Sequence, residues 1–291
     1  MAKWVGNDRE AYPGCPETDR KAIEHLSSDA EATPTIQIAM AQIDRLLTLV
    51  PNKIVTKSDA PENGRELHNW NTIAPAIVLS AANCLLSLRC LAQTGPPRRE
   101  QDANILLRRL YEHVVCFAWL AIEPNVNCKQ WVAYDYRYRL IADEEMQQEG
   151  ELGLSSEERA NFEAYRSANK DMPNLLIRAR EADNYWREKL LASAPKTFSL
   201  MSTYTAIYRF SSADAHPSPQ SLFAYVNPGS AAGRFIIGGV TQLTNNDRHA
   251  YPLAPLIFAF LLLVAGKVLD YLEMPTAADV LSAFSQDGPD S

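Results

Sequence analysis

Apolar residues recur along this chain at spacings of three and four, the signature of amphipathic helices. The clearest early case is "TPTIQIAMAQIDRLLTLV". Ile36, Met40, Ile43, Leu46 and Leu47 share one face there, behind a Thr33 N-cap and Pro34 at the first helical position. "NTIAPAIVLSAANCLLSLRCLAQTG" is apolar nearly all round, which predicts a central helix of a bundle ending at Gly95-Pro96-Pro97. "REQDANILLRRLYEHVVCFAWLAI" follows, with Pro124 as its stop. "KQWVAYDYRYRLIADEEMQQEG" carries aromatics on one side and charges on the other.

The pattern then turns polar. Ser155-Ser156-Glu157-Glu158 reads as a capping box opening a charged surface helix to Lys170, and Pro173 opens another to about Leu191. A helix is expected over "APKTFSLMSTYTAIYRFSSADA". "YVNPGSAAGRFIIGGVTQLTNNDR" reads as a short hairpin or an irregular loop. Pro255 to Leu272 is the last strong helix.

No repeat, P-loop, G-x-G-x-x-G, G-x-S-x-G or H-E-x-x-H occurs, and alternating β/α text is absent. The expected fold is therefore all-α, a bundle of roughly eight to ten helices. Residues 1–50 form an N-terminal tail and helices (a short surface helix over 16–32 among them). Residues 51–70 are a polar linker, 71–275 the bundle core and 276–291 a polar, fraying tail.

Composition narrows the class. The 291 residues carry a net charge of −7, which argues against a general nucleic-acid coat protein and leaves room for a local basic site. Between Lys196 and Ala250, Lys196, Arg209, Arg234 and Arg248 stand against only Asp214 and Asp247. The five cysteines (Cys15, Cys84, Cys90, Cys116, Cys128) form no C-x-x-C, and several lie in apolar helical text. That pattern predicts free thiols and a cytoplasmic location. "PLAPLIFAFLLLVAG" is shorter than the roughly 20 residues of a membrane span, so it reads as a core helix and no membrane association is expected. The histidines lie in no metal-ligand motif, and neither metal nor cofactor is expected.

Two stretches carry candidate chemistry. In "LLRRLYEHVVCFAWL", Arg108 and Glu112 are four apart, and the apolar surroundings predict a half-buried pair organising a polar site. In "YRFSSADAHPS", Tyr208, Arg209, Ser212 and His216 fall on one helical stripe, Arg209 and His216 within about 20° of each other. Pro217 disfavours helix at His216, which places the histidine at a helix end. An arginine can hold phosphate oxygens in a bidentate fork, and a histidine can move protons near neutral pH. A purely structural role, Arg209 pairing a carboxylate and His216 a carbonyl, fits the same residues.

These two strings, about a hundred residues apart, resemble a family of uncharacterised bacterial helical proteins with an Arg-x-x-x-Glu helix and a later Tyr…Ser…His-Pro-Ser helix end. The Arg…His pattern at a helix end also resembles the HEPN superfamily. That resemblance implies a HEPN-like core and metal-independent RNA cleavage, often at a homodimer interface, in toxin–antitoxin or anti-phage systems. By position, Arg209 and His216 would be the catalytic pair, with Tyr208, Ser212, Arg108 and Glu112 binding substrate. The expected partners are RNA or a nucleotide, a second copy of the chain, and a cognate antitoxin or defence partner. The alternative is a non-catalytic helical module that binds a nucleotide or a protein.

Overall fold

The computed structural model describes residues 34–50, 69–93, 99–151, 153–190, 199–204, 207, 226–228, 235–237, 250–269 and 274–285. Among these residues the fold is all-α with one small hairpin. The helices are α1 (Pro34–Thr48), α2 (Trp70–Gln93), α3 (Arg99–Leu120), α4 (Pro124–Gln148), α5 (Ser156–Ala168), α6 (Leu175–Leu190), α7 (Leu200–Tyr204), α8 (Ala250–Val268) and α9 (Ala277–Ser282). Strands β1 (Val226–Pro228) and β2 (Phe235–Ile237) pair antiparallel, Asn227 opposite Ile236.

The centre of the bundle is α3, which packs against α2, α4, α6 and α8. Every residue from Val114 to Ala121 is buried. The all-round apolar text of α2 marked it as the central helix, but α2 keeps one side in solvent, with Leu79 37% and Leu86 46% exposed. The innermost helix besides α3 is α8. Its residues Ile257 to Ala265 are all buried against α1, α2 and α3. By length and composition α2 and α8 are apolar enough to cross a membrane, and the bundle covers 56% and 67% of those windows.

Two prolines behave differently from their sequence reading. Pro124 starts α4 rather than merely ending α3, because a proline at N1 gives up no intrahelical bond. Pro255 lies inside α8, which begins at Ala250, and Pro75 lies inside the first turns of α2. The polar C-terminus also holds structure. Thr276 and Asp279 form a capping box that starts α9, Val280 is buried, and Arg45 of α1 donates to the Ser285 carbonyl at 2.7 Å.

The α4–α5 corner is tightly specified. Gly150, at φ +77°, closes α4 with Glu151 N–H on the Met146 carbonyl and Gly150 N–H on the Gln147 carbonyl, a Schellman turn that few other residues could adopt. The expected capping box at Ser155 and Glu158 then opens α5. Buried Asp143 latches the corner by accepting from Leu154 N–H at 2.5 Å and from Arg159 of α5. This fixes α5 against α4, with Tyr136 stacked on Phe162 (centroids 4.1 Å apart, planes 12° apart).

Candidate functional site

The faces of α2 and α3, the aromatic side of α4, the inner side of α5 and the beginning of α6 enclose an open cleft of about 1790 Å³. Helical spacing puts each lining set on one face. Ile73, Ile77 and Ser80 are contributed by α2, and Arg108, Arg109, Glu112, His113 and Cys116 by α3. Tyr134, Tyr136 and Arg139 come from α4, and Phe162 and Tyr165 from α5.

Arg108 and Glu112 lie here as the expected half-buried pair, Nε to Oε1 2.9 Å, with side-chain exposures of 21% and 41%. Beside them His113 bridges two helices. Its Nδ1 is 2.6 Å from the Arg109 carbonyl and its Nε2 2.9 Å from the Ser80 hydroxyl. A carbonyl only accepts, so Nδ1 carries the proton. In the neutral ring Nε2 then accepts from Ser80. This contact spans 33 residues of sequence. On α4, Arg139 is matched by Asp135 at 2.7 Å.

Next to the cleft, α6 is bound to α3 by two indoles of opposite direction. Trp186 Nε1 donates to the Ala118 carbonyl, and Trp119 Nε1 donates to Glu181, both at 2.8 Å. This docking brings the beginning of α6 into the cleft. Asn174 caps it by accepting from Ile177 N–H at 3.0 Å, and the first turn contains no acidic residue. One residue further on stands Arg178, against the Cys116 thiol. The Arg178 Nε is shut off from solvent and has no hydrogen-bond partner among the described residues. Burial pushes the Cys116 thiol up to about 11 against the opposing pull of Arg178, so the thiol is neutral at pH 7.

Tyr208, Arg209, Ser212 and His216 lie outside the described residues. The helix that leads toward them, α7, is anchored at its first residue. Leu200 donates its N–H to buried Asp183 at 3.1 Å, and its carbonyl accepts from the buried Tyr111 hydroxyl at 2.7 Å. Burial, then the Asp183 charge, raises the Tyr111 phenol well above its ordinary value. Among the described residues no group of three or more His, Cys, Asp or Glu is placed to hold a metal ion.

The sequence pattern of the family of unknown function DUF5677 matches residues 73–233, more than half of the chain. The chain belongs to this family. No curated protein and no solved structure matches it. The DUF5677 region runs from α2 to beyond β1 and includes α3 to α7 entire. It therefore holds every cleft residue except Thr72, and the "YRFSSADAHPS" stretch with it.

Sequence reasoning found Arg108 and Glu112 of this DUF5677 cleft and missed Ser80, His113 as a bridging residue, and Arg178. For Arg178 a signal was present. A basic residue one turn into a helix that starts with no acid runs against the helix dipole.

Proposed function

We propose that the cleft binds the phosphate and base of RNA or a nucleotide, and that this DUF5677 member is a HEPN-like, RNA-directed protein of the cytosol. The observation that carries the reading is the lining. Four arginines (Arg108, Arg109, Arg139, Arg178) meet an aromatic wall in a protein of net charge −7. Guanidinium forks suit phosphate oxygens, and aromatic faces stack bases of any sequence.

Cleavage is assigned to Arg209 and His216. Arg209 holds the scissile phosphate, the RNA 2′-oxygen attacks phosphorus, and the 5′-oxygen leaves as a 2′,3′-cyclic phosphate forms. His216 moves the proton, from the 2′-hydroxyl or to the departing oxygen. Tyr208 and Ser212 orient the phosphate. Arg108 and Glu112 bind the strand from the cleft wall. The resemblance to HEPN proteins supports a homodimer and a toxin or anti-phage setting, with a cognate antitoxin or defence partner.

The test is incubation of the pure protein with mixed RNA in EDTA, beside Arg209→Ala and His216→Ala. The expected result is cyclic-phosphate-ended fragments that both substitutions abolish. Absence of cleavage, or cleavage unchanged by both, would remove the ribonuclease. A second reading, a non-catalytic nucleotide-binding module, is favoured by Phe210, since HEPN proteins place a polar residue after the arginine. Ligand-specific rises in Tm without RNA turnover would select it.

A further inference from the structure

Resting on the reading of the cleft as a nucleotide site, we propose that Arg178 and the N-terminal end of α6 form a subsite for a terminal phosphate monoester, carried by a free nucleotide or by the 5′ end of RNA.

The argument begins with what Arg178 lacks. Among the described residues no carboxylate lies within ion-pair distance of it, although Arg139 of α4 has Asp135 and Arg108 has Glu112. Its Nε–H is closed off from water and donates to no described residue. Half-buried charges are ordinarily paired, because an unpaired one loses its hydration without compensation. The side chain beside it, Cys116, is a buried thiol and supplies no negative charge.

The helix end adds to this imbalance. Arg178 stands at the fourth position of a 16-residue helix whose beginning lines the cleft through Pro173, Asn174 and Leu175. Of the first-turn N–H groups, Ile177 is capped by Asn174. The positive end of a helix normally takes an acidic neighbour, and here it has a cation. Guanidinium and helix end together want an anion at this place, and a helix beginning is suited to phosphate.

The chemistry selects a monoester. Two positive elements side by side match a dianion better than the single charge of a diester. Tyr134 lines the same cleft from α4, so the attached nucleoside would extend toward the aromatic side of α4 and α5.

The experiment measures competition, by fluorescence anisotropy on the full-length protein in EDTA. The competitors are AMP, adenosine, inorganic phosphate, and one RNA oligonucleotide bearing either a 5′-phosphate or a 5′-hydroxyl. AMP is expected to bind at least about tenfold more tightly than adenosine. A similar preference for the 5′-phosphate over the 5′-hydroxyl oligonucleotide identifies the RNA end as the source, and a preference confined to AMP identifies the free nucleotide. Arg178→Gln should shrink the preference to within about twofold, and Arg178→Lys should leave an intermediate value. Equal binding with and without the phosphate, for mononucleotide and oligonucleotide alike, overturns the subsite. That comparison needs only the wild-type chain, so it stands even if a variant misfolds. RNA cleavage together with equal binding of AMP and adenosine, and of the two oligonucleotides, would leave the ribonuclease reading intact and remove this one. A phosphate preference without cleavage does the reverse.

Discussion

Replacing Asp183 tests how the bundle holds the start of α7. The carboxylate is buried and accepts three hydrogen bonds: from Ser199 Oγ at 2.7 Å, from Leu200 N–H at 3.1 Å and from Arg187 at 2.8 Å. Arg187 is 57% exposed, so its bond contributes little and the guanidinium simply returns to water. The cost of Asp183→Ala therefore comes from the other two. Leu200 is fully buried, and a buried N–H without an acceptor costs about 1–3 kcal/mol. The Ser199 bond to a charged acceptor adds about 1 kcal/mol, for a total of about 3 kcal/mol, or roughly a hundredfold in the folding equilibrium. Asp183→Asn keeps an acceptor for Leu200 and should cost only about 1 kcal/mol.

Tyr111 clamps the carbonyl of the same Leu200. Tyr111→Phe should thus couple to Asp183→Ala by about 1 kcal/mol in a double-mutant cycle. Urea denaturation followed by circular dichroism measures all three. An alanine variant within 1 kcal/mol of wild type, or an asparagine variant as unstable as the alanine one, would refute the reasoning. If RNA cleavage by Arg209 and His216 is detected, Asp183→Ala should lower it at temperatures where the bundle is still folded, since α7 precedes both residues in the chain.

Three further outcomes follow from the geometry. Gly153→Ala would drive a methyl group into the Asp143 carboxylate and its Gln147 neighbour, and should destabilise the α4–α5 corner by about 1–3 kcal/mol in the same urea assay. Cys116 and Cys128, buried and raised to about 11 and about 12, should resist maleimide at pH 8 in the native protein while exposed Cys90 reacts, as read by mass spectrometry of tryptic peptides. Glu158 is held below its ordinary value by the Ser155 hydroxyl and then the Ser155 backbone N–H. A depressed carboxylate stabilises the fold above its unfolded pKa and loses that contribution as pH falls through the folded one. The Glu158 side chain should accordingly titrate in NMR below the ordinary 4.5, and Ser155→Ala should return it upward.

Much of the helical order can be read from the chain because its causes are local. Ile36, Ile43 and Leu46 share a face at spacings of seven and three, and all three are buried. Ser155 with Glu158 needs only four consecutive residues to announce a helix start, and Arg108 with Glu112 only one turn to form a pair. Where a local signal has two meanings, the sequence is ambiguous. Pro124 serves a helix end or a helix beginning equally well, and the second is what the backbone adopts. Hydrophobicity alone also misjudges rank. The text of α2 is more apolar than that of α3, yet α3 takes the centre because four helices pack around it, while α2 leaves Leu79 and Leu86 in solvent.

The sequence by itself determined that this chain makes helices, where most of them begin, and that an arginine–glutamate pair would sit on an apolar one. Only the tertiary structure decided what those helices bring together. Ser80 meets His113 across the α2–α3 packing, and Arg178 reaches Cys116 because Trp119 and Trp186 lock α6 onto α3. Helical periodicity fixes which residues share a face, but which faces meet depends on how side chains interlock between helices far apart in the chain. That Arg178 meets a thiol and, among the described residues, no carboxylate is a property of that meeting, and no spacing along the chain records it.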